Sequence, residues 1–86
     1  MKIVVPSQLR DYTGGASPVE AQGTSLSALL ADLDRRYPGI RFRMIDEQGT
    51  IRRHIKIFVN REQTRTLDMP LAERDEIVIV GALSGG

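Results

Sequence analysis

Leu26, Leu29, Leu30, Leu33 and Tyr37 stand at i, i+3, i+4, i+7 and i+11, a stripe along one face of an α-helix. Asp32, Asp34, Arg35 and Arg36 occupy the rest of its surface. Thr24 or Ser25 can cap the first free amide hydrogens, and Pro38-Gly39 stops the helix. A single helix cannot bury its own stripe, so a sheet must cover it.

The flanking segments supply that sheet. Lys2-Ile3-Val4-Val5 is a β-branched run closed by Pro6, and Pro18-Val19-Glu20-Ala21 after the Thr13-Gly14-Gly15 turn can pair back on it as a hairpin. After Pro38-Gly39 a short irregular or helical stretch, Ile40 to Glu47, leads to a turn at Gly49. Ile51 to Val59 then reads as a central strand with Ile51, Ile55, Ile57 and Val59 near one face. Asn60-Arg61 marks a tight turn into a short polar strand near Glu62 to Arg65, and Leu67 and Leu71 tuck a loop onto the core. Ile77-Val78-Ile79-Val80 is apolar on both faces, which predicts a central strand, parallel to the first. The order of elements predicts an α+β domain of the β-grasp, ubiquitin-like kind. It has a mixed sheet of four to five strands on one main helix over residues 1–80, and a mobile tail over 81–86.

Size and charge then exclude most functions. A chain of 86 residues makes one domain with little interior left for a deep cavity, which disfavours a self-sufficient enzyme. Twelve Lys+Arg against eleven Asp+Glu lack the excess of a nucleic-acid binder. With no cysteine and one histidine there is no disulfide, no thiolate site and no metal cluster to expect. No apolar run approaches the about 18 residues of a membrane span, and Met1 to Pro6 is too short for a signal peptide, so a cytoplasmic protein is expected.

The terminal Gly85-Gly86 carries the chemistry. At an average glycine usage of about 7%, two glycines close a chain by chance about 0.5% of the time. Two residues without Cβ can thread a channel too narrow for other side chains. The α-carboxylate of Gly86 can thereby reach a buried reaction centre in another protein. A carboxylate is a poor electrophile, so a partner enzyme must convert it to an acyl-adenylate before a nucleophile attacks. Gly86 is the expected reactive site and Gly85 its slender neighbour. Leu83, between Ala82 and Ser84, is the expected apolar anchor on the partner.

Other features read as structural. His54 has no acidic partner in its motif and suits a surface position. Gly14-Gly15 lacks the lysine and Ser/Thr of a phosphate loop. Residues 35–56 concentrate Arg35, Arg36, Arg41, Arg43, Arg52, Arg53 and Lys56, a basic face better suited to an acidic partner or to solvent than to RNA, for which exposed aromatics are lacking.

Several motifs together resemble one family along essentially the whole chain. Pro6, Leu9-Arg10, Thr13-Gly14-Gly15, Gly23-Thr24-Ser25-Leu26, Tyr37-Pro38-Gly39, Phe58-Val59-Asn60, Asp75-Glu76-Ile77 and Gly85-Gly86 look like the MoaD/ThiS ubiquitin-like sulfur carriers. Leu9-Arg10 before Thr13-Gly14-Gly15, together with Arg53-His54, is most similar to the CysO branch, which serves cysteine biosynthesis. The resemblance implies a protein co-substrate, not an enzyme, with no permanently bound cofactor. A ubiquitin-activating-type adenylyltransferase would use ATP on Gly86, and a sulfur donor enzyme would leave a thiocarboxylate there. In the CysO branch a pyridoxal-phosphate cysteine synthase and a zinc metalloprotease follow. A ubiquitin-like modifier joined through Gly86, the small subunit of molybdopterin synthase and an inert interaction domain are the alternatives. One departure stands out: many members have proline where Gly81 lies, which bears on the exit angle of the tail.

Overall fold

The computed structural model describes residues 1–81. Strand β1 is Lys2–Val4, β2 Val19–Glu20, β3 Ile55–Val59, β4 Glu62–Thr64 and β5 Ile77–Gly81, with helices α1 at Leu26–Arg36 and α2 at Ile40–Met44. They form one five-stranded sheet in the order β2-β1-β5-β3-β4. β5 runs parallel to β1, with Ile3 opposite Ile77, and antiparallel to β3, with Ile57 opposite Ile79. The hairpins β1–β2 and β3–β4 flank it, so β5 is central and β1 its parallel neighbour, as the apolar run predicts. This is the ubiquitin-like β-grasp fold.

Packing divides the sheet into two unlike faces. Ile3, Ile57, Ile77 and Ile79 of the inner face are fully buried with Leu26, Leu29, Leu30 and Leu33 of α1. The helix is capped by Ser25, whose hydroxyl accepts the Ala28 N–H at 3.1 Å. Its first two amides donate to the carbonyls of Met69 and Leu67 at 2.9 Å, so the loop carrying Leu67 and Leu71 closes over the helix start. Gly23 is sterically required there: a Cβ would stand 2.3 Å from the Leu29 backbone nitrogen.

Asp32 is the only buried carboxylate among the described residues. It accepts the Gln22 N–H at 2.8 Å and Arg36 Nε at 2.9 Å, and it also pairs with Arg35. The backbone bond from Gln22, followed by the bond from Arg35, holds its carboxyl down to about 2, against the opposing effect of burial. Helix α1 is thereby pinned to the segment that leaves β2.

One element adds to the sequence reading and one departs from it. The segment between β1 and the Gly14 turn is a 3₁₀-helix, Ser7–Thr13, ended by Gly14 in the left-handed conformation at φ 65°. Ile51 does not belong to the central strand, which begins at Ile55. Asp46 accepts the amides of Gln48 and Thr50, turning the chain at Gly49, and Ile51 bridges back to Ile45. A second turn, at Arg53-His54 with the Ile55 N–H donating to the Arg52 carbonyl at 3.0 Å, separates Ile51 from β3, and the alternation of odd-numbered apolar residues spans that turn without marking it.

Candidate functional site

Gly86, Gly85, Ser84, Leu83 and Ala82, the residues to which sequence assigns the chemistry and the partner contact, lie outside the described residues. What the structure defines is their point of departure from the sheet. Strand β5 continues through Gly81, which sequence groups with the tail, and Gly81 pairs with Ile55 on β3.

A second contact holds the same residue from the other side. The Gln8 side chain, on the 3₁₀-helix, donates from Nε2 to the Gly81 carbonyl at 2.9 Å. Gly81 shares the parity of Ile77 and Ile79, so a Cβ would point inward, where it would meet the Gln8 Oε1 at 2.7 Å. A larger residue would therefore displace the Gln8 amide. The exit of the chain is fixed by a strand pairing and a side-chain bond in place of a proline ring.

The outer face of the sheet beside this exit is apolar. Val4, Val78 and Phe58 are adjacent across β1, β5 and β3 and half-buried, and Val80, opposite Lys56, is 42% exposed. No helix among the described residues covers them. Such a face suits docking on another protein, with the sheet and the departing chain engaged together.

The remaining candidates separate clearly. His54 lies exposed in the turn before β3, without a carboxylate partner among the described residues. Gly14 and Gly15 form the turn that ends the 3₁₀-helix, with the Gly15 N–H donating to the Arg10 carbonyl at 2.8 Å. Among the described residues no three His, Cys, Asp or Glu groups converge to hold a metal ion, and no helix is long and apolar enough to cross a membrane. Sequence reasoning missed Gln8, and nothing local marks a glutamine whose partner is 73 residues away.

Comparison with known proteins agrees with this geometry. Residues 3–86 match the model of the ThiS family. The chain is 36% identical to the sulfur carrier protein CysO of Mycobacterium tuberculosis over 89 residues, 98% of this chain and 96% of that protein. The crystal structure of M. tuberculosis CysO superposes with a TM-score of 0.89 at 34% identity, covering 95% of this chain and 98% of that one. A chain of the Amycolatopsis orientalis BexX/CysO complex superposes equally well, with a TM-score of 0.89 at 31% identity over 99% and 98% of the two chains. The small archaeal modifier protein 1 of Methanosarcina acetivorans follows with a TM-score of 0.79 at 26% identity over 99% and 94%.

Proposed function

The chain belongs to the ThiS family, and from that premise we propose that it is a sulfur carrier whose terminal Gly86 is the reactive residue. The observation that carries this reading is the exit geometry. The central strand ends at a glycine held on two sides, and five residues closing in Gly85-Gly86 follow it. A carboxylate oxygen of Gly86 attacks the α-phosphorus of ATP on an activating enzyme, and pyrophosphate leaves. Hydrosulfide supplied by a donor enzyme then attacks the acyl carbon and displaces AMP, and a thiocarboxylate remains on Gly86. The chain is the carried acyl group and the partner does the catalysis.

The near full-length likeness to CysO supports delivery of this sulfur to cysteine biosynthesis, through a pyridoxal-phosphate cysteine synthase and release by a zinc metalloprotease. The chain itself would hold no permanent cofactor, and ATP would be bound by its partner in the cytoplasm. In this reading Gly85 passes the channel, Leu83 anchors on the activating enzyme between Ala82 and Ser84, and the outer face around Val80 docks beside them.

The likeness to a small archaeal modifier protein favours one second reading, attachment through Gly86 to lysines of other proteins. Intact mass of the protein purified from its native host separates the two. Replacement of a terminal oxygen by sulfur adds roughly 16 Da, whereas a protein conjugate adds kilodaltons. Native protein carrying only conjugates and no thiocarboxylate would overturn the carrier reading.

A further inference from the structure

The basic run of residues 35–56 splits in space. Arg35 and Arg36 are drawn to Asp32 at the far end of α1. Arg52, Arg53 and Lys56 instead meet Arg65, which follows β4, around a cavity of about 270 Å³ at the start of β3. No carboxylate lines this cavity, and none of the four cations is in an ion pair among the described residues. Four like charges around one concavity repel each other and destabilise the compact state, so their convergence is not explained by the stability of the fold.

One of the four is already held in place. Arg52 donates from Nε to the Phe42 carbonyl at 2.8 Å, and its guanidinium lies 4.7 Å from the centre of the Phe42 ring. A partner carboxylate meeting this group need not immobilise it, which lowers the entropic cost of contact.

The position of the cavity identifies the partner. Ile55 and Lys56 line it, and they pair with Gly81 and Val80, the last described residues before the terminal five. Any protein that takes up residues 82–86 therefore approaches the cationic cavity as well. We infer that Arg52, Arg53, Lys56 and Arg65 form a docking site for an acidic surface, rich in Asp and Glu, beside the entrance to the channel that receives the chain terminus. The identity of that partner as the adenylating enzyme rests on the carrier reading.

Two other anions fit less well. The phosphates of a nucleotide attacked by Gly86 would lie up to about 18 Å beyond Gly81 along an extended five-residue chain, at about 3.3–3.6 Å per residue. That distance is over twice the Debye length of about 8 Å at physiological salt, so the cavity exerts little force on them. A single-stranded RNA would call for a free aromatic face. Phe42, the exposed ring nearest to this site in sequence, is already covered by Arg52.

The test measures association of the intact protein with its cognate adenylating enzyme from low to high salt. R53E/R65E should slow association about tenfold or more at low salt and remove most of its salt dependence, because steering by surface charge acts on the on-rate. R53Q/R65Q should fall between it and the parent. Both residues are exposed, so the melting temperature should stay close to the parent value. Unchanged association rates in both variants would overturn the inference. So would saturable binding at this cavity of tripolyphosphate or a short single-stranded RNA tighter than that of the enzyme, read from backbone amide shifts of Arg53, Lys56 and Arg65. ATP–pyrophosphate exchange, run in parallel, judges the carrier reading separately. A parent protein that binds with the expected charge dependence but supports no exchange would sink that reading and leave the docking site standing.

Discussion

The two faces of strand β5 have nearly the same composition and opposite fates. Ile77 and Ile79 point inward and are buried under α1, whereas Val78 is half-buried and Val80 42% exposed on the other side. The inner pair is explained by the core of this molecule. The outer pair, with Phe58 and Val4 beside it, is buried less by the fold, and in the proposed reading its apolar character serves a second surface. Apolar residues in adjacent positions of one strand can thus answer to different requirements, stability on one face and association on the other.

The sharpest way to break this comparison leaves both faces untouched. One alanine appended after Gly86 moves the carboxylate by about 3.3–3.6 Å, more than a near-attack geometry tolerates. Adenylation should be abolished in ATP–pyrophosphate exchange while the melting temperature is unchanged, since the addition lies beyond the sheet. Full activity of the extended protein, with no trimming, would remove Gly86 from the reaction.

The next test sets neighbouring residues against each other. Ile79→Ala should cost about 3 kcal/mol of stability in denaturant unfolding, as a large-to-small change in a packed core does. Val80→Asp should cost about 0.5 kcal/mol or less, being at the surface, yet weaken binding to the activating enzyme about tenfold by placing a carboxylate in an apolar contact. If Val80→Asp unfolds the protein or binds as well as the parent, the outer face is not a docking surface.

The smallest effect sharpens the inner side alone. Asp32 has a folded value of about 2 against an ordinary 3.8, so its stabilising contribution is complete above about pH 4 and disappears as pH falls through about 2. Asp32→Asn should be less stable than the parent at neutral pH, and the gap between them should close between pH 4 and pH 2. A gap that stays constant over that range would mean that the ionised carboxylate does not hold Gln22, Arg35 and Arg36.

Where the chemistry of a segment is local, its sequence is enough. Ser25 and the leucine spacing specify α1, and the two-sided apolar run places β5 at the centre of the sheet. Ile51 reads as part of β3 because periodicity records facing and not continuity: Ile51 and Ile55 both pack on the core, across the turn at Arg53-His54. The 3₁₀-helix is too short to show a period, with Leu9 and Thr13 as its only buried residues. The cationic cavity was half legible: Arg52, Arg53 and Lys56 fall in a visible run, but Arg65 joins them only through the β3–β4 hairpin.

The place of β5 in the sheet order has a further consequence, for folding. Among the described residues β5 is the only strand that joins the hairpin β1–β2 to the hairpin β3–β4. Two-stranded ribbons are marginal in water by themselves, so the sheet has no stable form until this strand is inserted. Its parallel partner β1 lies at the opposite end of the chain, and pairings so distant in sequence close late and slowly. The amide hydrogens of Ile77 to Ile79 should then exchange with solvent only by global unfolding, as slowly as any in the molecule. In the carrier reading the chain that leads to Gly86 leaves the sheet from the strand whose arrival completes the structure, so a misfolded copy would have no ordered exit from which to offer its carboxylate, and presentation of the terminus would double as proof of folding.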